Sequence, residues 1–195
     1  MYNEIYSKGS DSIGACKISM GTSEEKLNRR FTGEITDTLI DAKTGEIINT
    51  FKSHNLIVDS CSVLIAGLFK NHFNIGIKYL AYGHGSDEWI DENLPVPKNE
   101  DTKLLSEFFR KEITPDMVTF IDGEDNPTEE ITNRIQIRIL LEANEGNGSL
   151  REFGLFGGNS ATSELNSGIL INRKIHGHIY KTSGMLLERI IRLTF

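Results

Sequence analysis

The last third of the chain is a succession of strand-like segments, and this feature constrains the fold more than any other. From Ile131 to Leu141 apolar side chains alternate with polar ones such as Arg134 and Arg138. A period of two predicts a strand with one buried face. Three further β-runs, separated by turns rich in Gly, Ser and Asn, complete the chain: Leu150–Phe156, Gly168–Tyr180 and Met185–Phe195. Because no helical pattern intervenes, we expect antiparallel neighbours rather than βαβ units.

The segment 31–76 is predicted to be a β-hairpin followed by a helix. Two β-rich runs, Phe31–Ile40 and Glu46–Lys52, flank a turn ending in Gly45, and glycine can supply the positive φ that a hairpin turn requires. Asp59-Ser60 offers helix N-caps. The apolar residues after it recur at helical spacing: Val63, Leu64, Leu68 and Phe69.

The next predicted elements are a strand, Ile77–Tyr82, and the loop Gly83–Glu100, where glycines and prolines forbid regular structure. A second short helix is predicted after this loop, capped by Asp101 or Thr102. Its buried side chains would be Leu104, Leu105 and Phe108.

These patterns predict a β-rich α+β fold with antiparallel, sandwich-like sheets, two short helices and an extended N-terminal arm. The arm comprises residues 1–30, which are polar and rich in Ser, Gly and Lys. The hairpin and first helix occupy 31–76, and a β-rich domain occupies 77–195. In the last run one charged residue, Arg189, shares a face with apolar neighbours: Leu187, Ile191, Leu193 and Phe195.

The composition argues against several functional classes. The net charge is -7 and Lys and Arg are scattered, which argues against a nucleic-acid partner. The longest apolar stretch, Ser62–Phe69, is too short to span a bilayer, so no membrane partner is expected. The first residues lack the regions of a signal peptide, which indicates a chain made and kept in the cytoplasm. The two cysteines, Cys16 and Cys61, indicate reduced thiols, with Cys61 on a buried helix face.

The segment His176-Gly177-His178 is a candidate metal motif. Two imidazoles on one face of a strand can reach one ion, but zinc or iron needs further ligands, which symmetry mates would supply. The alternative is that both are polar strand residues that contact solvent or a partner. Asp122–Asn126 has the composition of a calcium loop without EF-hand spacing, and we interpret it as a solvated turn. The sequence contains no nucleophile elbow or phosphate-binding loop, so we expect no enzymatic activity and no cofactor.

Several short segments follow one another in an informative order. A strand ends in the turn Gly83-His84-Gly85, a proline-containing loop follows, and Thr102–Arg110, in the second predicted helix, matches the pattern T-x-L-x-x-E-x-x-R. The set resembles the N-terminal anchoring domain of phage tail-fibre (tail-collar fibre) proteins, and its last part is also similar to baseplate proteins of phage tails and related contractile injection particles. The resemblance covers Ile77–Phe195. The segments that match are Tyr79–Gly85, Leu94–Pro97, Thr102–Arg110, Arg151–Phe156, Gly168–Ile171 and Lys181–Gly184.

The resemblance implies a structural, non-enzymatic virion component: a baseplate or tail-tip adaptor that anchors or links tail fibres, assembled in the host cytoplasm. Other tail, baseplate or fibre proteins would be its partners. A homo-oligomer is implied, with a trimer favoured because the resembled fibres are trimeric. Since the chain stops at Phe195, where a fibre continues into its shaft, we expect an adaptor rather than a fibre. The alternatives are a host-surface carbohydrate-binding module and a head–tail connector or neck protein.

Two groups of residues are candidates for assembly roles. The loop Gly83–Glu100 contains the only tryptophan, a residue type enriched at interface hot spots, although Trp89 could instead fold back onto its own core. The predicted partner-interface residues are Trp89, Tyr82, Pro95 and Pro97. A second set is predicted to form buried ion pairs that fix packing register, with ordinary surface charges as the alternative. This set comprises Glu107, Arg110, Arg151 and Glu152.

Overall fold

The structure is a computed structural model that describes residues 31–195. The predicted arm, residues 1–30, lies outside the described residues, as does Cys16. The elements in chain order are β1 (Thr32–Asp41), β2 (Ile47–Ile57), α1 (Asp59–Phe69), β3 (Ile77–Gly83), β4 (Glu107–Glu112), a 3-10 turn (Pro115–Met117), β5 (Val118–Ile121), β6 (Pro127–Thr128), β7 (Arg134–Leu141), β8 (Gly148–Gly157), β9 (Ile169–Lys181) and β10 (Met185–Thr194).

The strands form one antiparallel sheet in the order β4-β3-β8-β9-β2-β1-β10-β7-β5-β6. The predicted β-rich, antiparallel fold is therefore confirmed. Because β1 pairs with β10 and β2 pairs with β9, the segments predicted as 31–76 and 77–195 share this one sheet.

The alternating pattern of the closing strands places one face of each strand in the interior. Side chains that face inward on β7 lie opposite inward side chains of β10, and β1 continues the same face with Ile35 and Leu39. The opposed pairs are Ile137 with Ile191, Ile139 with Arg189, and Leu141 with Leu187. Burying each large apolar side chain contributes about 1.5–3 kcal/mol, so this register is strongly specified.

The sheet folds back on itself, and its two halves face each other across the main core. Strand β2 belongs to both halves: it pairs with β1 over most of its length, and its last two residues pair with β9. Strands β10 and β8 are not neighbours in the sheet, yet the guanidinium of Arg189 lies 3.7 Å from the ring centroid of Phe153. The result is a sandwich-like arrangement built from a single sheet.

A second, smaller core lies on the outer face of β3 and β8. It is formed by Tyr79, Ala81 and Phe156 from these strands, together with Leu104 and Ala161 from the loops that cover them. This part of the sheet is consequently covered on both faces, which positions the loops of the candidate site.

Helix α1 confirms the first predicted helix and packs against β9. Cys61 and Leu64 are its buried residues, as expected from the helical spacing. Val58 is the N-cap instead of Asp59 or Ser60; the Ser60 hydroxyl donates to the carbonyl of Leu170 in the sheet (2.5 Å). Within residues 31–195, no helix has the length and apolarity needed to cross a membrane.

The prediction of a second helix is wrong: residues 107–112 form strand β4, which pairs with β3 at the edge of the sheet. The preceding residues are irregular and are fastened to the neighbouring segments, because the amide of Leu104 donates to Asn166 in the loop after β8 (2.9 Å) and that of Ser106 donates to Glu152 on β8 (2.8 Å). Leu104 is fully buried while Leu105 is 59% exposed, so the two leucines do not share the face that a helix would give them. Pairing with β3 satisfies a whole row of backbone groups, which overrides the local helical spacing.

Candidate partner interface

Arg151 fixes the conformation of the loop Gly83–Glu100. It extends from β8 and is almost fully buried. Its guanidinium donates to the carbonyls of Ser86 (2.9 Å) and Trp89 (2.7 Å) and forms an ion pair with Asp91 (2.7 Å). The hydrogen bond that His178 N–H donates to Asp91 is the main cause that lowers the pKa of this carboxyl. One buried arginine therefore ties three points of the loop to the sheet.

Trp89 folds back onto its own chain. Its ring lies against Gly85, where a Cβ would approach the ring to 2.2 Å, and the Arg151 guanidinium lies 5.7 Å from the ring centroid. Gly85 has φ +68°, a conformation that residues with a side chain rarely adopt, and a Cβ at this position would overlap the Trp89 ring. Glycine is therefore required here for both reasons. The ring of Trp89 is half-buried, and the residue next to it, Ile90, is 62% exposed.

The prediction that Tyr82 belongs to the partner interface is wrong. Its side chain is fully buried, and burial raises the pKa of its hydroxyl well above the ordinary value. The Arg189 guanidinium lies 4.9 Å from its ring centroid. Tyr82 therefore belongs to the interior and does not reach a surface of this chain. Pro95 is exposed, Pro97 is half-buried, and Val96 between them is 81% exposed.

Glu107 and Arg110 form an ion pair (2.6 Å) with both side chains buried. They lie on β4 and not on the predicted helix. Arg110 also donates to the carbonyl of Thr162 (2.7 Å) and the hydroxyl of Ser167 (2.8 Å), and Glu107 accepts from the amide of Asn166 (2.6 Å). The pair therefore fastens the loop between β8 and β9 to the edge of the sheet.

Glu152 is fully buried on β8 and connects two further segments. One oxygen accepts from the amide of Ser106, and the other accepts from Arg173 on β9 (2.6 Å). Arg173 in turn forms an ion pair with Asp101 (2.8 Å). Breaking such a pair leaves an uncompensated buried charge, so these contacts specify where the loops lie.

The two histidines of the predicted metal motif lie in a β-bulge. Ile175–Ile179 in β9 lies opposite Leu150–Glu152 in β8, so five residues face three. His178 is exposed and shares a hydrogen bond with the Ser149 hydroxyl (2.8 Å). In the described part of the chain no group of three or more His, Cys, Asp or Glu side chains is arranged to hold a metal ion.

His176 lies on the interior side of the bulge. Its Nδ1 donates to the carbonyl of Gly177 (2.8 Å), and its Nε2 is buried without a partner among the described residues. Burial, and then the positive charge of Arg189, lowers the pKa of His176 to about 4. The neutral imidazole is therefore the form present at physiological pH.

Asp37 and Arg189 form a buried ion pair that the sequence analysis did not assign. Arg189 donates to both carboxylate oxygens of Asp37, at 2.6 and 2.7 Å, and its side chain is fully buried between the two halves of the sheet. The sequence contains a signal for this pair, because β1 and β10 each carry one charged residue on their apolar face. These residues are Asp37, between Ile35 and Leu39 on β1, and Arg189 on β10.

The acidic segment Asp122–Asn126 forms a turn closed by its own side chains. Asp122 accepts from the amides of Glu124 (2.8 Å) and Asn126 (2.9 Å), and these hydrogen bonds lower the pKa of its carboxyl. Arg134 bonds to the carbonyl of Asp122 and to the carboxylate of Asp125. The carboxylates of Asp122 and Asp125 are thus engaged by the protein itself.

No protein-family model and no curated protein matches the sequence.

Proposed function

We propose that this chain is a structural, non-enzymatic subunit of a baseplate or tail tip. In this role it anchors or links tail fibres in a phage tail or a phage-like contractile injection particle, as a virion component assembled in the host cytoplasm. Its partners are other tail, baseplate or fibre proteins and further copies of itself, with a trimer favoured.

One observation supports the proposal above the others. Four of the six segments that resemble the fibre-anchoring domain contribute to the adjacent strands β4, β3, β8 and the start of β9, although Thr102–Arg110 ends in a strand and not in the expected helix. The charged residues of those segments are used to fasten loops to these strands: Arg151 holds the loop Gly83–Glu100, and the Glu107–Arg110 pair holds the loop after β8. These four segments thus act together as one packed unit.

The loop so fixed is the proposed partner surface. Its exposed apolar side chains include Ile90 and Val96, next to the exposed ring of Pro95. A loop that is already ordered loses little conformational entropy on binding, which favours a permanent contact in an assembly. The buried carboxylates Glu107 and Glu152 are paired with arginines, which suits a packing role better than proton transfer.

Imaging of native particles tests the proposal. A gold-labelled antibody against the chain should mark the baseplate or tail tip of purified particles. Label at the junction of head and tail would indicate the neck instead, and a protein found free in solution and never on particles would refute the proposal.

A pair of surface variants tests the contact itself. Val96→Asp places a charge in the proposed surface and should lower the number of copies per particle about tenfold, because a buried unpaired charge at an interface costs more than about 1.4 kcal/mol. Val63→Asp is the matched control, since Val63 is also exposed (61%) but lies on α1. Equal incorporation of both variants would exclude this loop as the contact.

A further inference from the structure

Lys181 is a buried amine at the end of β9 that the proposed function does not use. It lies opposite Gly148 at the start of β8, on the same face of the strand as the core residue Ile179, and it is 1% exposed. Its ammonium donates to the backbone carbonyl of Glu142 (2.6 Å) and to the side-chain oxygen of Asn147 (3.0 Å), both in the loop between β7 and β8. The buried charge is therefore held against two uncharged oxygens.

The carboxamide of Asn147 is held at both ends. Its oxygen accepts from Lys181, and its nitrogen donates to the carbonyl of Ala143 (2.9 Å). The flanking residues Gly146 and Gly148 have φ +56° and +134°, which permits the tight path of the chain around this side chain. Since a carbonyl bond is about 1.2 Å long and the hydrogen bond measures 3.0 Å, the Lys181 nitrogen lies at most roughly 4.2 Å from the carboxamide carbon. Asn147 itself is exposed, so a group released from it can pass to solvent.

Glu145 supplies a carboxylate next to this pair. Burial lowers the pKa of Lys181, and the negative charge of Glu145 partly opposes this effect. The carboxylate is held by Lys111 (2.5 Å) and by the amide of Glu142 (3.0 Å), both of which bind Oε2 and leave Oε1 for proton transfer. Burial raises the pKa of Glu145, but these hydrogen bonds outweigh burial and lower it, so a proton taken up by this carboxylate is readily passed on. A desolvated lysine beside a base is an activated nucleophile.

We propose that Lys181 and Asn147 become joined by an isopeptide bond that the folded protein forms by itself. The Lys181 ammonium gives one proton to Glu145, and the neutral Nζ then forms a bond to Cγ of Asn147. The bond between Cγ and Nδ2 breaks, and Nδ2 leaves as ammonium after it takes one proton from Nζ and one from Glu145. The Glu145 carboxylate is thereby regenerated, and the reaction needs no oxidant, reductant or external co-reactant. This inference is independent of the proposed function.

Proximity makes this reaction feasible in the folded chain. Reacting groups that are held in a near-attack arrangement reach effective molarities of about 10⁵–10⁸ M. A positioned carboxylate that transfers protons contributes a further factor of about 10²–10⁴. The bond joins residues that are 34 apart in sequence and links the adjacent strands β8 and β9 at one end. Such a covalent link restricts the unfolded chain in the way that a disulfide does.

The intact mass of the full chain tests the bond. Release of ammonia lowers the mass by about 17 Da, whereas the same chain purified and kept in urea should retain its full mass because the reaction requires the fold. Proteolytic digestion should yield one branched peptide that contains both Asn147 and Lys181, without cleavage by trypsin after Lys181. A chain that keeps its full mass after folding and prolonged incubation at pH 8 has only the hydrogen bond, and this result overturns the inference.

Variants of the loop and of the lysine provide the controls. Asn147→Ala removes the carboxamide and should retain the full mass, whereas Asn144→Ala, which changes an exposed asparagine of the same loop, should still lose about 17 Da. Lys181→Arg keeps the positive charge but cannot form the bond, so it should also retain the full mass. Loss of ammonia that persists in Lys181→Arg would indicate a succinimide formed by the backbone amide of Gly148, and it would overturn the inference.

The rate of ammonia loss after refolding tests the role of Glu145. When the chain is diluted from urea into buffer, the fraction of molecules with the lower mass should rise with time. Glu145→Gln keeps an oxygen for Lys111 and for the amide of Glu142 but cannot carry the proton, so the loss should slow at least about tenfold. An unchanged rate in this variant would overturn the proton transfer assigned to Glu145.

Discussion

Removing Asp37 is expected to destabilise the protein more than any surface change, because it leaves Arg189 buried without its counter-charge. Arg189 is 0% exposed, and both carboxylate oxygens of Asp37 accept from it at 2.6 and 2.7 Å. Breaking a buried ion pair on one side typically costs about 3–5 kcal/mol. The rings of Phe153 and Tyr82 still face the guanidinium in Asp37→Ala, at 3.7 and 4.9 Å. Because cation–π contacts retain part of the stabilisation, we expect a loss of about 3 kcal/mol.

Urea unfolding of the full chain measures this loss. With a slope of about 2 kcal/mol per molar urea for a domain of this size, the midpoint should fall by about 1.5 M. Circular dichroism and the fluorescence of Trp89, the only tryptophan, give two independent probes of one transition.

A double variant distinguishes the ion pair from simple loss of packing. Replacing both partners by apolar side chains, as in Asp37→Leu with Arg189→Met, removes the buried charge together with its partner. Such replacements are often neutral or stabilising by about 1–4 kcal/mol, so the double variant should recover most of the lost midpoint. A midpoint for Asp37→Ala within about 0.3 M of the unaltered chain would refute the reasoning, as would a double variant that is no more stable than the single one.

Three further predictions concern a histidine, a glycine and a thiol. The pKa of His176 is about 4 in the folded chain, against an ordinary value of 6.5. Between pH 4 and 6.5 the unfolded chain therefore binds a proton at this histidine and the folded chain does not. Stability should therefore fall as pH falls from 6.5 to 4, by up to about 3 kcal/mol, and urea midpoints of His176→Gln should show a smaller fall. Gly85→Ala should destabilise the protein by about 1–3 kcal/mol and shift the fluorescence emission of Trp89 to the red, because the new Cβ displaces the Trp89 ring. The control is Gly123→Ala, which adds a Cβ in open space and should change neither stability nor emission. Burial raises the pKa of Cys61 to about 11, so about one Cys61 side chain in a thousand is a thiolate at pH 8. Alkylation of Cys61 should therefore be at least about 100-fold slower in the folded protein than in urea.

The closing strands show how far local pattern suffices. The alternation in β7 and β10 predicted their buried faces correctly, because side-chain direction in a strand follows from a period of two. The segment Thr102–Arg110 shows where local pattern fails. Its apolar spacing suits a helix, but the exposed edge of β3 requires a partner. The amides of Leu104 and Ser106 donate to Asn166 and Glu152, which fixes the residues before β4 in an irregular conformation.

The histidine motif shows a second limit. Alternation placed both imidazoles on one face, whereas the bulge opposite Arg151 separates them into an interior His176 and an exposed His178. A bulge depends on the neighbouring strand, since it is a mismatch in the number of residues on the two strands. The sequence of β9 alone does not contain that comparison.

The sequence by itself determined the hairpin of β1 and β2, helix α1, strands β3 and β7–β10, and the inward faces of β7 and β10, because each of these follows from spacing over a few residues. It also showed charges on apolar faces without showing what neutralises them. Only the tertiary structure decided that Asp37 and Arg189, 152 residues apart, meet between the two halves of the sheet, and that Arg151 and Glu152 hold different loops. Such pairs depend on which strands become neighbours, and that choice is made by burial of the whole sheet rather than by any local run of residues.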